Sequence, residues 1–188
     1  MKDHEYCNYL KTRSKLAYLY RKLLLYPRII KRTQGKILDY GCGIGDFLSV
    51  APNSTGVDIN KSCVDYCNEQ GLSASHILDS TIPFPDDTFD TVILDNVYEH
   101  LSDTRSVMIE VARVLKTKGI TIIGVPGVKG FSLDSTHIKF YDDEILTDSL
   151  SKYNFKKIEF FYSPLFKSSF LSNNVSSYVT WGVFRYVN

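Results

Sequence analysis

The sequence predicts an α/β fold built on a doubly wound, mostly parallel sheet, and three observations lead there. The stretch Lys36 to Leu48, KILDYGCGIGDFL, reads as a buried strand, a glycine turn and the start of a helix. Strand-like segments then alternate with helical ones from residue 54 to residue 152, the order that an open sheet of βα units requires. Two further strand-like stretches, Lys157 to Tyr162 and Tyr178 to Tyr186, close the chain.

Residues 1 to 35 hold no glycine before Gly35 and repeat apolar residues at helical spacing: Leu16, Leu19, Leu23, then Leu24, Leu25, Ile29 and Ile30. Pro27 lacks the amide that a helix interior needs, so two helices are expected here. Residues 1–36 carry ten Lys and Arg against two acidic residues, a charge of +8, which leaves twelve against nineteen, or −7, for the rest of a chain whose total is +1. Tyr6, Tyr9, Tyr18, Tyr20 and Tyr26 are interleaved with the basic residues. Residues 1–34 are therefore expected to form a basic helical cap on a single-domain core of residues 35–188. Two readings of this arm stand side by side. In one it is an amphipathic helix across the mouth of a cleft with its lysines in water; in the other its basic face meets an anionic partner, whether a phosphorylated glycan or lipid intermediate, an acidic membrane surface, or RNA.

Ile37 and Leu38 form the first strand, and Gly41, Gly43 and Gly45 let the chain turn sharply with no Cβ in the way of a ligand. Asp46-Phe47-Leu48 begins the first helix. Thr55 to Ile59 is the second strand, Lys61 to Gln70 the second helix, stopped by Gly71, and Ser73 to Leu78 the third strand. Thr91 to Asp95 is the fourth strand. Asp103 to Lys116 is an amphipathic helix with Val107, Val111, Val114 and Leu115 on one face, ended by Gly119, and Ile120 to Val125 is a buried strand. Asp142 to Lys152 is a last helix, and Ser163 to Ser177 joins the two late strands.

A dinucleotide site is the first alternative for such a glycine turn. Its G-x-G-x-x-G spacing puts Asp46 where the third glycine belongs, and a carboxylate at that helix end repels a pyrophosphate. What remains is D-x-G-x-G-x-G, Asp39 to Gly45, and here the sequence resembles the class I S-adenosylmethionine-dependent methyltransferases, most closely their small-molecule and glycan-modifying branch. The cationic cofactor of that family tolerates Asp39 and Asp46.

The resemblance spans roughly residues 36 to 160 and implies a Rossmann-like sheet of seven mostly parallel strands with an antiparallel C-terminal hairpin. It implies S-adenosyl-L-methionine as cofactor, S-adenosyl-L-homocysteine as product, and a cofactor site of Asp39, Gly41, Cys42, Gly43, Gly45, Asp58, Ile59, Asp79, Ser80, Asp95 and Asn96. Within it Asp58 matches the position that accepts hydrogen bonds from both ribose hydroxyls, and Asp79 the one that faces the adenine amine. Pro83 to Asp90 looks like the family's loop into the fourth strand, and Asn96-Val97-Tyr98-Glu99-His100 like the segment beside the methionine moiety. Tyr98 and Tyr141 are expected to line the acceptor pocket.

Methyl transfer from a sulfonium is an in-line displacement in which charge disappears, so positioning supplies much of the rate and a base is needed only for a hydroxyl acceptor. His137, in Ser135 to Tyr141, and His100 are the catalytic candidates, since imidazole titrates near neutrality; each has a purely structural hydrogen-bonding role as its alternative. The fourth strand ends without the paired prolines of nucleobase amino-methylating enzymes, no Pro-Cys supplies a cytosine C5 nucleophile, and no RNA-binding module is present. These absences favour a small-molecule or glycan acceptor over nucleic acid. RNA methylation through the basic arm and a non-catalytic, cofactor-binding regulatory subunit stay open as alternatives.

Hydrophobic content of 44% and charge of 23% are those of an ordinary globular protein. No run approaches the ~20 apolar residues that cross a bilayer, and the charged N-terminus lacks the apolar stretch of a signal peptide. A cytoplasmic protein is expected, with peripheral membrane contact left open and no oligomeric state assigned. Cys63 and Cys67 share a helix, but nothing nearby completes a ligand set, so packed thiols and no metal are expected.

Overall fold

A computed structural model describes residues 3–12 and 14–187; Lys2 and Arg13 of the basic arm, Met1 and Asn188 lie outside the described residues. Seven strands form one sheet in the order β3-β2-β1-β4-β5-β7-β6. They are β1 (Ile37–Tyr40), β2 (Ser54–Asp58), β3 (Ala74–His76), β4 (Phe89–Asp95), β5 (Leu115–Pro126), β6 (Phe155–Ser163) and β7 (Val179–Tyr186). β1 pairs in parallel with both β2 and β4, β3 with β2, and β5 with β4. Only β7 runs against its neighbours β5 and β6. The doubly wound mixed sheet with its antiparallel C-terminal hairpin is thus the predicted one.

The helices are α1 (Asp3–Lys11), α2 (Lys15–Tyr20), α3 (Tyr26–Ile30), α4 (Lys61–Glu69), α5 (Thr104–Val114), α6 (Val128–Ser132), α7 (Asp143–Ser151) and α8 (Ser169–Asn174). They cover both faces of the sheet. Period-2 alternation divides the strands between two cores: Val92, Leu94, Ile123 and Val125 point toward α5 and α7, while Ile93, Ile120 and Ile122 point to the opposite face with Leu25, Tyr26, Ile29 and Phe47. Burying Leu25 and Ile29 contributes roughly 1.5–3 kcal/mol each.

The second half of the arm is a layer of the sheet's core. The reason lies in the connection from β1 to β2. Residues 46–50, expected to start a helix, make only a short turn closed by Ser49 N to Gly45 O and Ala51 N to Phe47 O. Pro52 and Asn53, the latter at φ 60°, follow at once and leave no length for a crossover helix.

Pro27 does not split the arm. Residues 21–25 form a π-helical turn directly before it, which absorbs the carbonyls that the proline cannot satisfy, and the helical path runs on to Ile30. Of the predicted apolar stripe, Leu25 and Ile29 are buried, whereas Leu16, Leu19, Leu23 and Leu24 are exposed. Helix α5 ends at Val114 rather than Lys116, because Leu115 already pairs with Phe89 and the ladder resumes at Thr91 with Ile120 after a register shift. Helix α8 lies in the stretch read as a connection between the late strands, and α6 in one to which the sequence assigned no element.

Candidate active site

The C-terminal ends of β1 and β4 lie where the strand order reverses, the position at which open α/β sheets bind ligands. The glycine turn after β1 holds Gly41, Gly43 and Gly45 at φ 79°, 52° and 79°. At Gly41 the need is double: besides the left-handed backbone, a Cβ would lie 2.5 Å from Val97 Cγ2 in the loop after β4.

The turn is tied to β2. The amides of Gly41 and Cys42 donate to Val57 O at 2.8 and 3.1 Å, and Gly43 N donates to Asp58 Oδ2 at 2.7 Å. Asp58 Oδ1 accepts Asn60 N at 2.7 Å, and Asn60 in turn caps α4 through Cys63 N. The carboxylate at the end of β2 is thereby fixed, and the three turn amides engage β2 rather than open space. Cys42 is buried beside the turn, and all four cysteines are buried free thiols.

Around this turn the structure gathers Asp39, Asp58 and Asp95, with Asp46 close by. Asp39 lies inside β1 and is buried; burial first, then Asp95 and Asp58, hold its carboxyl well above the usual range, and Arg21 acts the other way. Arg21 comes from the π-turn of the arm. Its Nη2 pairs with Asp95 Oδ2, its Nε donates to Tyr26 Oη at 2.9 Å, and Asp46 contributes to its field. Asn96, at φ 54°, donates to the other oxygen of Asp95 at 2.7 Å. Sequence reasoning found the acidic residues and missed Arg21. The signal was present as a basic residue between apolar positions of the arm, but its distant partner was not.

On the far side of Asp58, Ile59 and Leu78 are 67% and 88% exposed at the ends of the adjacent strands β2 and β3. His76 Nε2 bonds Ile59 O at 3.0 Å and holds that end. Asp79, at the surface, accepts Thr81 N at 2.7 Å, and its bonds to Thr81 hold its pKa below the usual carboxylate value; Ser80 adjoins it, half-buried. Two large apolar side chains left in water beside fixed carboxylates are what a flat heterocycle would cover.

On the β4 and β5 side, Glu99 and His100 sit in the short 3₁₀ turn Tyr98–His100, and His137 in the loop after α6. The two segments are joined by Ile138 N to Glu99 O at 2.8 Å. The imidazoles of His100 and His137 lie 4.6 Å apart, and burial followed by that neighbour keeps His100 below its ordinary pKa. Glu99 is 0% exposed, and burial pushes its carboxyl up to about 8. Sequence reasoning singled out both histidines but not Glu99. Tyr98 and Tyr141, read as pocket-lining, are instead core residues with rings 5.0 Å apart, and Tyr98 Oη meets Ser149 Oγ at 2.8 Å.

Residues 38–123 match the family model described as "Methyltransferase domain". Over 99 residues the chain is 34% identical to YcgJ, an uncharacterised methyltransferase of Bacillus subtilis, covering 47% of this chain and 39% of that one. Over 119 residues it is 29% identical to a probable S-adenosylmethionine-dependent methyltransferase of Mycolicibacterium smegmatis, covering 60% and 46%. The chain spans less than half the length of these two relatives. A Thermotoga maritima structure described as a SAM-dependent methyltransferase and possible histamine N-methyltransferase superposes with a TM-score of 0.73 over 97% of this chain and 98% of that one, at 18% identity, and shows the shared fold. Over these residues the chain is similar to the S-adenosylmethionine-dependent methyltransferases, enzymes whose cofactor is S-adenosyl-L-methionine.

Proposed function

We propose that the chain is a class I S-adenosylmethionine-dependent methyltransferase that moves the cofactor's methyl group to a hydroxyl or amine of a small molecule or of a sugar or glycan intermediate. The observation that carries the reading is the group of carboxylates, Asp39, Asp58 and Asp95 with Asp46, at the C-terminal strand ends around one glycine turn. Such a site favours a ligand with positive charge, and S-adenosyl-L-methionine brings two: the sulfonium and the ammonium.

In this reading Asp58, held by two backbone amides, accepts the ribose hydroxyls, while Ile59 and Leu78 flank the adenine and Asp79 with Ser80 meets its edge. Asp39, Asp95 and Asn96 face the methionine end, where the guanidinium of Arg21 is placed for the carboxylate. The Gly41 to Gly45 turn and Cys42 shape the floor. An acceptor oxygen or nitrogen attacks the methyl carbon in line with sulfur; the new C–O or C–N bond forms as the C–S bond breaks, sulfur keeps the electron pair, and S-adenosyl-L-homocysteine leaves. A hydroxyl acceptor gives its proton to His137 or His100.

The segments leaving this edge of the sheet expose Leu133, Ile138, Leu165, Phe166 and Phe170, and the arm exposes Leu16, Leu19, Leu23 and Leu24. That apolar rim supports an acceptor with an apolar portion. The arm's part as a lid on the site belongs to the same proposal. No helix among the described residues is long and apolar enough to cross a membrane.

Calorimetric titration with S-adenosylhomocysteine, and in parallel with NADH, tests the cofactor assignment. The native chain binds the first ligand alone, and Asp58→Ala weakens it by more than about tenfold, the loss of at least one strong hydrogen-bonding group. Binding of NADH, or equal S-adenosylhomocysteine affinity in a folded Asp58→Ala protein, refutes it.

A further inference from the structure

We propose that Glu99, His100 and His137 form a binding site for one divalent first-row metal ion, of the class of manganese, iron, cobalt or zinc. One ligand atom from each of the three lies within 4.8 Å of the others. Two imidazoles and one carboxylate are a donor set that suits these ions and leaves coordination positions open for water or an acceptor oxygen.

The strongest indication is Glu99 itself. Its side chain is 0% exposed, and apart from a contact to its own backbone amide neither carboxylate oxygen has a hydrogen-bond partner among the described residues. Buried carboxylates are almost always paired or metal-bound, because an isolated charge removed from water is very costly. The nearest imidazole nitrogen, His137 Nε2, is 3.9 Å from Oε1, too far for a hydrogen bond and close to the separation of two ligands on one ion. Metal–nitrogen and metal–oxygen bonds are about 2.0–2.2 Å, which puts adjacent donors roughly 3–3.6 Å apart, so a small side-chain adjustment closes the site.

The ring orientations are independent support. His137 Nδ1 lies 2.8 Å from Phe131 O, and His100 Nδ1 lies 3.3 Å from Thr136 O. A carbonyl only accepts, so both Nδ1 atoms donate and both Nε2 atoms keep their lone pairs. Metal-ligating histidines are held in this way, with the second nitrogen donating to a carbonyl or carboxylate. The loop that brings His137 is built in place: Ile138 N and Lys139 N donate to Glu99 O at 2.8 and 3.3 Å, Thr136 N donates to Asp134 Oδ1 at 2.8 Å, and Phe131 stacks on the His137 ring. Asp134 Oδ2, 4.0 Å from His137 Nε2, adds a second carboxylate at the rim.

The binding site stands without the methyl-transfer reading, but its use rests on it. With His100 and His137 engaged as ligands, the ion would replace them as the means of activating a hydroxyl: it would hold the acceptor and lower its pKa, so that the oxygen attacks as an alkoxide with its proton already lost to solvent.

The test uses the full chain, stripped with a chelator, dialysed and titrated with zinc against a chromophoric competitor, with cobalt absorption as a second probe. One equivalent binds, the cobalt spectrum lacks a thiolate charge-transfer band, and Glu99→Gln and His137→Gln each lower affinity by more than about tenfold. His100→Gln replaces either variant whose circular dichroism shows it unfolded. Absence of stoichiometric binding, affinity unchanged in folded variants, or a thiolate band that points to Cys42, Cys67, Cys7 or Cys63 overturns the proposal. S-adenosylhomocysteine titration of the same stripped protein reports on the cofactor reading separately, so that either reading fails without the other.

Discussion

Breaking the pair between Arg21 and Asp95 measures how firmly the arm is joined to the cleft. The two side chains are 21% and 9% exposed, and Arg21 also donates to Tyr26 Oη at 2.9 Å. Arg21→Ala leaves the Asp95 carboxylate beside the buried Asp39 with its counter-charge gone. Breaking a fully buried pair costs about 3–5 kcal/mol and an exposed one about 0–1 kcal/mol, so this nearly buried pair is expected to cost about 2–3 kcal/mol. In a chain of this size that lowers Tm by roughly 4–12 °C, at about 2–4 °C per kcal/mol. The chain still folds, because Leu25, Tyr26 and Ile29 keep the arm on the sheet. Asp95→Asn is expected to cost less, since its amide oxygen still accepts from Arg21. Urea unfolding of both singles and the double then gives the coupling, expected near about 2 kcal/mol. A coupling below about 0.5 kcal/mol would mean that the guanidinium is no more than a solvated surface charge and that this pair does not join the arm to the cleft.

Two further expectations concern the sheet beneath the site. Gly124→Ala places a Cβ 2.6–2.8 Å from three ring carbons of Trp181, which is buried and stacked on Phe161 at 5.7 Å, so it costs about 1–3 kcal/mol of overpacking, read as a lower Tm; an unchanged Tm refutes that packing. Asp39→Asn tests the buried carboxyl. Its folded pKa is raised, so below the unfolded value both states hold the proton and the variant matches the parent. Above that value only the unfolded parent ionises readily, and the parent loses stability relative to the uncharged variant as pH rises toward the folded pKa. Urea midpoints from about pH 4 to about pH 7 should diverge in favour of the variant, and parallel curves refute the shift.

The sheet was legible because its signals are local. Ile37 and Leu38 before three glycines, and Ile120 to Val125 after Gly119, mark buried strands whatever surrounds them. Misread features depended on distant partners. The stripe Leu16, Leu19, Leu23 has helical period but stands in water, because the sheet face is filled by Leu25, Tyr26 and Ile29 one turn further on. The glycine turn promised a helix that the short run to Pro52 cannot hold. At the site, Asp58 was found from its place after a strand, whereas Glu99 looks in sequence like any residue of a polar turn, and only its burial without a partner singles it out.

The charge of the arm is accounted for in the same way. Arg21 pairs with Asp95 and Arg32 with Glu159 at 2.8 Å, and Lys36 Nζ lies over the ring of Phe89 at 5.1 Å. Arg28 and Arg32 lie over the ring of Phe161 at 5.5 and 4.1 Å, and Lys11 over Tyr66 at 4.0 Å. A segment of +8 on a remainder of −7 is thus in large part a docking device within one chain. Of the basic residues on the second half of the arm, Arg21, Arg28 and Arg32 hold the arm to the core, whereas Lys22 is exposed beside Tyr18. Neutralising those three would therefore alter stability before it reported on any partner. Exposed Lys15, Lys22 and Lys31 are the positions at which the loss of a salt-dependent interaction would speak for an anionic surface, since nothing in the core rests on them.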